Sequence, residues 1–191
     1  MSIPTKLLLS DLLKHNVRCD NGIDHGPVIS PWMHPPVHRI LGWVSRPSNL
    51  RIQREVWRLD QLKGMNEQEV YVKGHCSLSD EKTLQRLPTL INANIFNRSG
   101  QKLGLIADFI FEPHKGNIHY YLVSRTNPLI PGTSRWRLSI SQITDKQPGS
   151  ISCDIDSFED LPIQKASLKE EFLSKSRKWK NQFQDLTYNA S

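Results

Sequence analysis

Four side chains between residues 19 and 38, Cys19, His25, His34 and His38, are of the types that bind zinc. Their spacing follows no standard zinc pattern, and Pro35-Pro36 keeps His34 and His38 from sharing a helix face as in an HExxH site. The expectation is that these are loop side chains and that no metal is held. Nucleophilic catalysis needs a nucleophile, a base within reach and a group that orients the base. Asp24-His25 is a single acid–imidazole pair, and in a turn such a pair more often caps the chain. The sequence has no GxSxG elbow, no GxxxxGK[ST] loop and no GxGxxG. No catalytic residue, cofactor or small-molecule substrate is expected, and the chain reads as non-enzymatic.

Recognition is the chemistry that remains. The segment SPWMHPPVHR carries Trp32, Met33, His34, His38 and Arg39 on a backbone stiffened by prolines. Rigid aromatic and arginine anchors lose little entropy on docking, which suits a partner-binding loop. The competing reading is that Trp32 and Met33 close one end of their own domain. Arg125 and Arg135 are placed to flank an anionic groove, with Arg46 and Arg58 at nearby repeat positions. The alternative is that each pairs with a neighbouring carboxylate. RNA recognition would set stacking aromatics among the basic residues, whereas the tryptophans here read as core, so nucleic acid is the weaker expectation.

A last basic group sits in the tail. Ser167 reads as an N-cap with Glu170 completing a capping box, and the spacing predicts an amphipathic helix from there. Leu168, Phe172, Trp179 and Phe183 share its apolar face, and Lys175, Arg177, Lys178 and Lys180 make it basic. Either it packs on the rest of the protein with its lysines solvated, or it contacts a partner groove or an anionic membrane surface.

The elements that must carry these residues repeat. Asn21-Gly22, Gly26, Val44-Ser45-Arg46 and Trp57-Arg58-Leu59 recur as Ser99-Gly100, Gly104, Val123-Ser124-Arg125 and Trp136-Arg137-Leu138. The tryptophan follows the arginine by eleven residues in both copies, so internal duplication is expected. Turn dipeptides flanked by apolar runs predict hairpins. Leu103 to Phe111, Ile118 to Val123, Trp136 to Ile140 and Ile151 to Ile155 read as strands. Such a meander hides its edges best by curling closed. His75 to Pro88 is polar and ends in proline, with one helical turn starting at Ser79 or Asp80. The expected organisation is a divergent domain over 1–75, a linker over 76–88, a second domain over 89–163, and a helix and tail over 164–191.

Composition fits a folded, mainly β chain: 191 residues, 37% apolar, with five tryptophans. A net charge of +6 and pI near 9.3 favour anionic partners. Three cysteines with no CxxC pair suit free thiols in a reducing compartment. The opening MSIPTKLLLSDLLKHN lacks the apolar core of a signal peptide, and no stretch is long and apolar enough to span a bilayer. A cytoplasmic or peripheral protein is expected.

The second copy, NRSGQKLGLIADFIFEPHKGNIHYYLVS followed by RWRLSISQI, resembles a PRC-barrel, and DNGIDHGPV with VWRLDQL resembles a divergent one. The resemblance covers about residues 7 to 160 and extends to tandem proteins of cyanobacteria and plastids. It implies two small β-barrels followed by the C-terminal helix. PRC-barrels occur in the H subunit of purple bacterial reaction centres and in the ribosome maturation factor RimM, so the resemblance implies docking on a larger protein assembly. The leading expectation from the resemblance is an assembly or regulatory factor at a photosynthetic complex, peripheral at the thylakoid membrane. The alternative is a RimM-like factor binding a ribosomal protein and ribosomal RNA. The loop at 30–39 departs from the family pattern, which points recognition to the first copy and the groove it shares with the second.

Overall fold

In the run Lys102–Phe111 the buried positions are Gly104, Ile106 and Asp108, then Phe109 and Phe111. That is period-two alternation with one phase change, and the ladder to the next strand shifts register between Ile106 and Asp108, as a bulge requires. Repeated along the chain, this patterning gives a mainly β protein. The computed structural model describes residues 2–48, 50–126 and 133–165. In chain order the elements are β1 (Leu7–Leu8), α1 (Leu9–Leu12), β2 (Asn16–Cys19), β3 (Asp24–His34), β4 (Arg39–Ser45), β5 (Arg54–Arg58), β6 (Leu62–Met65), β7 (Glu69–Val72) and β8 (Ser77–Ser79). After α2 (Glu81–Gln85) come β9 (Asn94–Phe96), β10 (Lys102–Phe111), β11 (Ile118–Ser124), β12 (Arg135–Ser139), β13 (Ile143–Gln147), β14 (Ser150–Cys153) and β15 (Ile163–Lys165).

The strands make two sheets with one shared order. The first runs β6-β7-β2-β3-β4-β5-β8 and the second β13-β14-β9-β10-β11-β12-β15, so each strand of one has its counterpart in the other. Both contain a single parallel pair at the same place, β2 with β7 and β9 with β14. The two tryptophans of the repeat are buried, Trp57 on β5 and Trp136 on β12. Trp57 donates its indole N–H to Ser45 Oγ at 2.9 Å, and Trp136 packs against Phe158.

The closed barrels expected from the sequence are not found among the described residues, since the first and last strands of each path share no ladder. The edges are limited by other means. β8 and β15 are three residues long, and Ser2 bridges to Met65 on the free side of β6. β1 adds to β10, so the N-terminal segment serves the second sheet although the first sheet follows it in the chain. The polar stretch after His75 is partly ladder: β8 pairs with β5, and Asp80 caps α2 by accepting from the Thr83 amide at 2.9 Å. The predicted C-terminal helix, with Lys175, Arg177, Lys178 and Lys180, lies outside the described residues. Among those described, no helix is long and apolar enough to cross a membrane.

Candidate functional site

The segment read as a loop at 30–39 is mostly strand. β3 continues through Pro31 to His34, a 3-10 turn covers Pro35–Val37, and β4 begins at Arg39. β2 pairs with β3 only from Asp24 to Pro27, so at Pro31 the strand has a partner on the β4 side alone, an edge position of the kind that tolerates proline. The tip of this hairpin meets the tip of its counterpart, β10–β11. Ile40 N–H donates to the Gly116 carbonyl at 2.8 Å, and Ile118 N–H to the His38 carbonyl at 2.9 Å. Arg39 Nε donates to the Lys115 carbonyl at 2.8 Å.

This junction sorts the predicted recognition residues. Met33 and His38 are buried in it. Met33 Sδ accepts from Thr89 Oγ1 at 3.5 Å. His38, in the left-handed region at φ 50°, has Nδ1 2.9 Å from the Tyr121 hydroxyl and Nε2 3.0 Å from Lys146 Nζ. Lys146 has only protons to offer, so Nε2 accepts and Nδ1–H donates to Tyr121, which fixes the neutral tautomer. Burial, reinforced by the Lys146 charge, holds the His38 pKa down at about 4, and burial pushes the Tyr121 hydroxyl above its usual range. Trp32 is half-buried, and His34 and Arg39 are exposed.

Trp32 and Arg39 line a cleft of about 410 Å³ with Arg58, Asp60, His114 and Lys115, drawing walls from both sheets. Asp60 is its one carboxylate and pairs with Arg58 at 3.2 Å. Arg39 makes no ion pair among the described residues. The cleft is basic with an aromatic wall. The other predicted arginines lie elsewhere. Arg125 pairs with Glu159 and stacks over Trp136 at 5.3 Å, and Arg135 lies 3.9 Å from the buried Asp108 carboxylate. Arg46 is half-buried beside Ser30 and Arg54. These do not form one stripe with the cleft.

The candidate ligands separate as well. His34 and His38 belong to the junction hairpin, while Cys19 and His25 meet at the opposite end of β3. His25 Nε2 lies 3.1 Å from Cys19 Sγ and its Nδ1 2.7 Å from Glu55 Oε2, with the ring edge-on to Trp57. Cys76, just before β8, completes the group. Asp24 caps the turn as expected, accepting from the Gly26 amide at 2.7 Å. Glu55 and Cys76 carried no sequence signal, being far from His25 in the chain and brought there by the β4-β5-β8 ladder. In Cys19–His25–Glu55 the order is nucleophile, base, orienter, but Cys19 is buried, with Asn21 Oδ1 and the Ile23 carbonyl close around its sulfur. That sulfur has little surface to offer a substrate.

A PRC-barrel domain is detected over residues 83–156, from α2 to just beyond β14. The match covers the second copy, the one whose sequence pattern is cleaner, and stops short of β15. The strand order of the first sheet repeats it outside the matched span. No curated protein matches the chain.

Proposed function

We propose that this chain is a non-enzymatic binding protein, an adaptor that docks on a larger assembly through the cleft at the hairpin junction. One observation carries the reading. Trp32, Arg39, Arg58 and Lys115 face one cleft from two sheets whose backbones are hydrogen-bonded to each other beneath it. Such a wall is organised before the partner arrives, so little ordering entropy opposes binding, and aromatic and arginine anchors contribute most at such places. The occupant that fits is an acidic, extended protein segment. The PRC-barrel domain of the second copy is compatible with this role. By the same resemblance the larger assembly we infer is a photosynthetic membrane complex, served as an assembly or regulatory factor.

The test is affinity purification of the full chain from its native host with the retained proteins identified by mass. Trp32→Ala and Arg58→Glu are expected to cut recovery of the principal partner by about fivefold or more each, the effect of ~1 kcal/mol at an interface anchor. Both residues sit outside the buried junction, so the variants should keep the wild-type circular dichroism. Undiminished recovery from folded variants rejects the cleft. Recovery of ribosomal proteins with ribosomal RNA in place of membrane-protein subunits replaces the photosynthetic reading with the ribosomal one.

A further inference from the structure

We propose that His25, Glu55 and Cys76 form a binding site for a divalent transition metal of the zinc class, with Cys19 orienting the histidine from behind. One donor atom from each of the three lies within 4.8 Å of the others. Neighbouring donors around a tetrahedral zinc stand roughly 3.3 to 3.8 Å apart, given bonds of about 2.0 to 2.3 Å, so shifts on the order of 1 Å seat an ion. The set is one thiolate, one imidazole and one carboxylate, a mixture of soft and borderline donors that suits zinc and cobalt and does not suit calcium or magnesium.

The buried charge calls for a cation there. Glu55 is 4% exposed, and burying a carboxylate is costly without a close positive partner. Its arginine neighbour, Arg51, is 3.7 Å away with a side chain that is mostly in solvent. The His25 ring spans two partners, with Nε2 3.1 Å from Cys19 Sγ. Nδ1 faces the Glu55 carboxylate at 2.7 Å, so in the metal-free protein a proton lies between them. With Cys76 as the third donor, a divalent ion is favoured over the proton: one thiolate and one carboxylate cancel its charge in a buried place. Binding places the ion on Nδ1, leaves the ring neutral with its one proton on Nε2, and releases the Cys76 thiol proton to solvent. The contact from Nε2–H to Cys19 fixes the ring tautomer, as outer-shell partners of metal-bound histidines do. Three protein ligands leave one position for water or for a side chain of a partner.

Cobalt titration of the reduced full chain tests the site. One equivalent of Co²⁺ should produce thiolate-to-cobalt charge-transfer absorption together with the d–d bands of a tetrahedral ion, and Zn²⁺ should abolish both. Cys76→Ser should remove the charge-transfer band, Cys19→Ser should keep it with affinity weakened about 10- to 100-fold, and Cys153→Ser, at a buried cysteine of the second sheet, should leave it unchanged. Absence of the band in the wild-type protein at stoichiometric cobalt overturns the proposal, whether or not any variant folds. Loss in Cys19→Ser with retention in Cys76→Ser overturns the ligand assignment.

Discussion

His38 joins the two sheets through three of its groups: the carbonyl accepts from Ile118, Nδ1–H reaches Tyr121, and Nε2 accepts from Lys146. The last of these is impossible for a charged ring in the same pose, because an imidazolium would turn an N–H toward the lysine ammonium. The consequence is a pH dependence with a definite sign. In the folded protein burial and Lys146 keep the ring neutral down to about pH 4, whereas the unfolded chain takes up the proton near 6.5. The unfolded state therefore binds more protons between those values. The contribution is complete above about pH 6.5 and is lost as pH falls toward about 4. Allowing for solvent screening it is on the order of 1 to 2 kcal/mol. Urea unfolding at pH 7 and pH 4.5 should show a loss of that size in the wild type that is missing in His38→Asn, a residue that tolerates the left-handed backbone. Parallel losses in both proteins would rule the histidine out as the source. At this scale the sequence was half legible. The prolines and aromatics at 30–39 marked a special segment, but nothing local tells that Met33 and His38 face inward while Trp32 and Arg39 face the cleft. Likewise Cys19 and His25 stood out by type, and their partners Glu55 and Cys76 did not, since only strand pairing brings them near.

The hairpins were the most legible elements, because alternation and turn glycines are local signals. Leu103 to Phe111 and Ile118 to Val123 agree with the observed β10 and β11 to within a residue at each end. What has no local signal is the meeting of hairpins, and there Gly116 is the decisive residue. It sits at φ 76°, and a Cβ built on it would lie 2.2 Å from the Ile40 carbonyl oxygen, a backbone atom that cannot step aside without parting the sheets. Gly149 has nearly the same φ, 75°, with nothing within 4 Å of its Cβ position. The pair separates backbone strain from steric contact. Gly149→Ala should cost about 1 kcal/mol from the left-handed conformation alone. Gly116→Ala should cost about 2 to 4 kcal/mol, since it adds a forced displacement at the junction. Chemical denaturation of the two variants provides the comparison, and equal losses would show that the hairpin contact is too soft to matter.

Across the whole molecule, duplication was legible from the spacing of glycines and tryptophans, and the shared strand order reproduces it. Two features escaped the sequence because they depend on pairing between distant segments. The sheets stay open among the described residues, and the N-terminal strand β1 joins the second sheet. The second of these ties the copies together. Buried residues from the two sheets, from Val17 and Trp57 to Phe109 and Leu138, belong to one hydrophobic cluster that also takes in Leu9 and Leu12 of α1. Ser10 N–H is anchored 3.2 Å from Asp108 Oδ1 on β10. A core continuous across both copies should unfold as one cooperative unit, because neither sheet can lose its apolar face without exposing the other's. Leu12→Ala tests this from the edge of the cluster. Leu12 is 2% exposed, and its truncation should cost about 2 to 4 kcal/mol. Under native-state hydrogen exchange the slowest amides of β4 in the first sheet and β11 in the second should lose protection by the same amount. If β11 alone were affected, the second sheet would open independently of the first, and the junction hydrogen bonds would be joining two separate folding units.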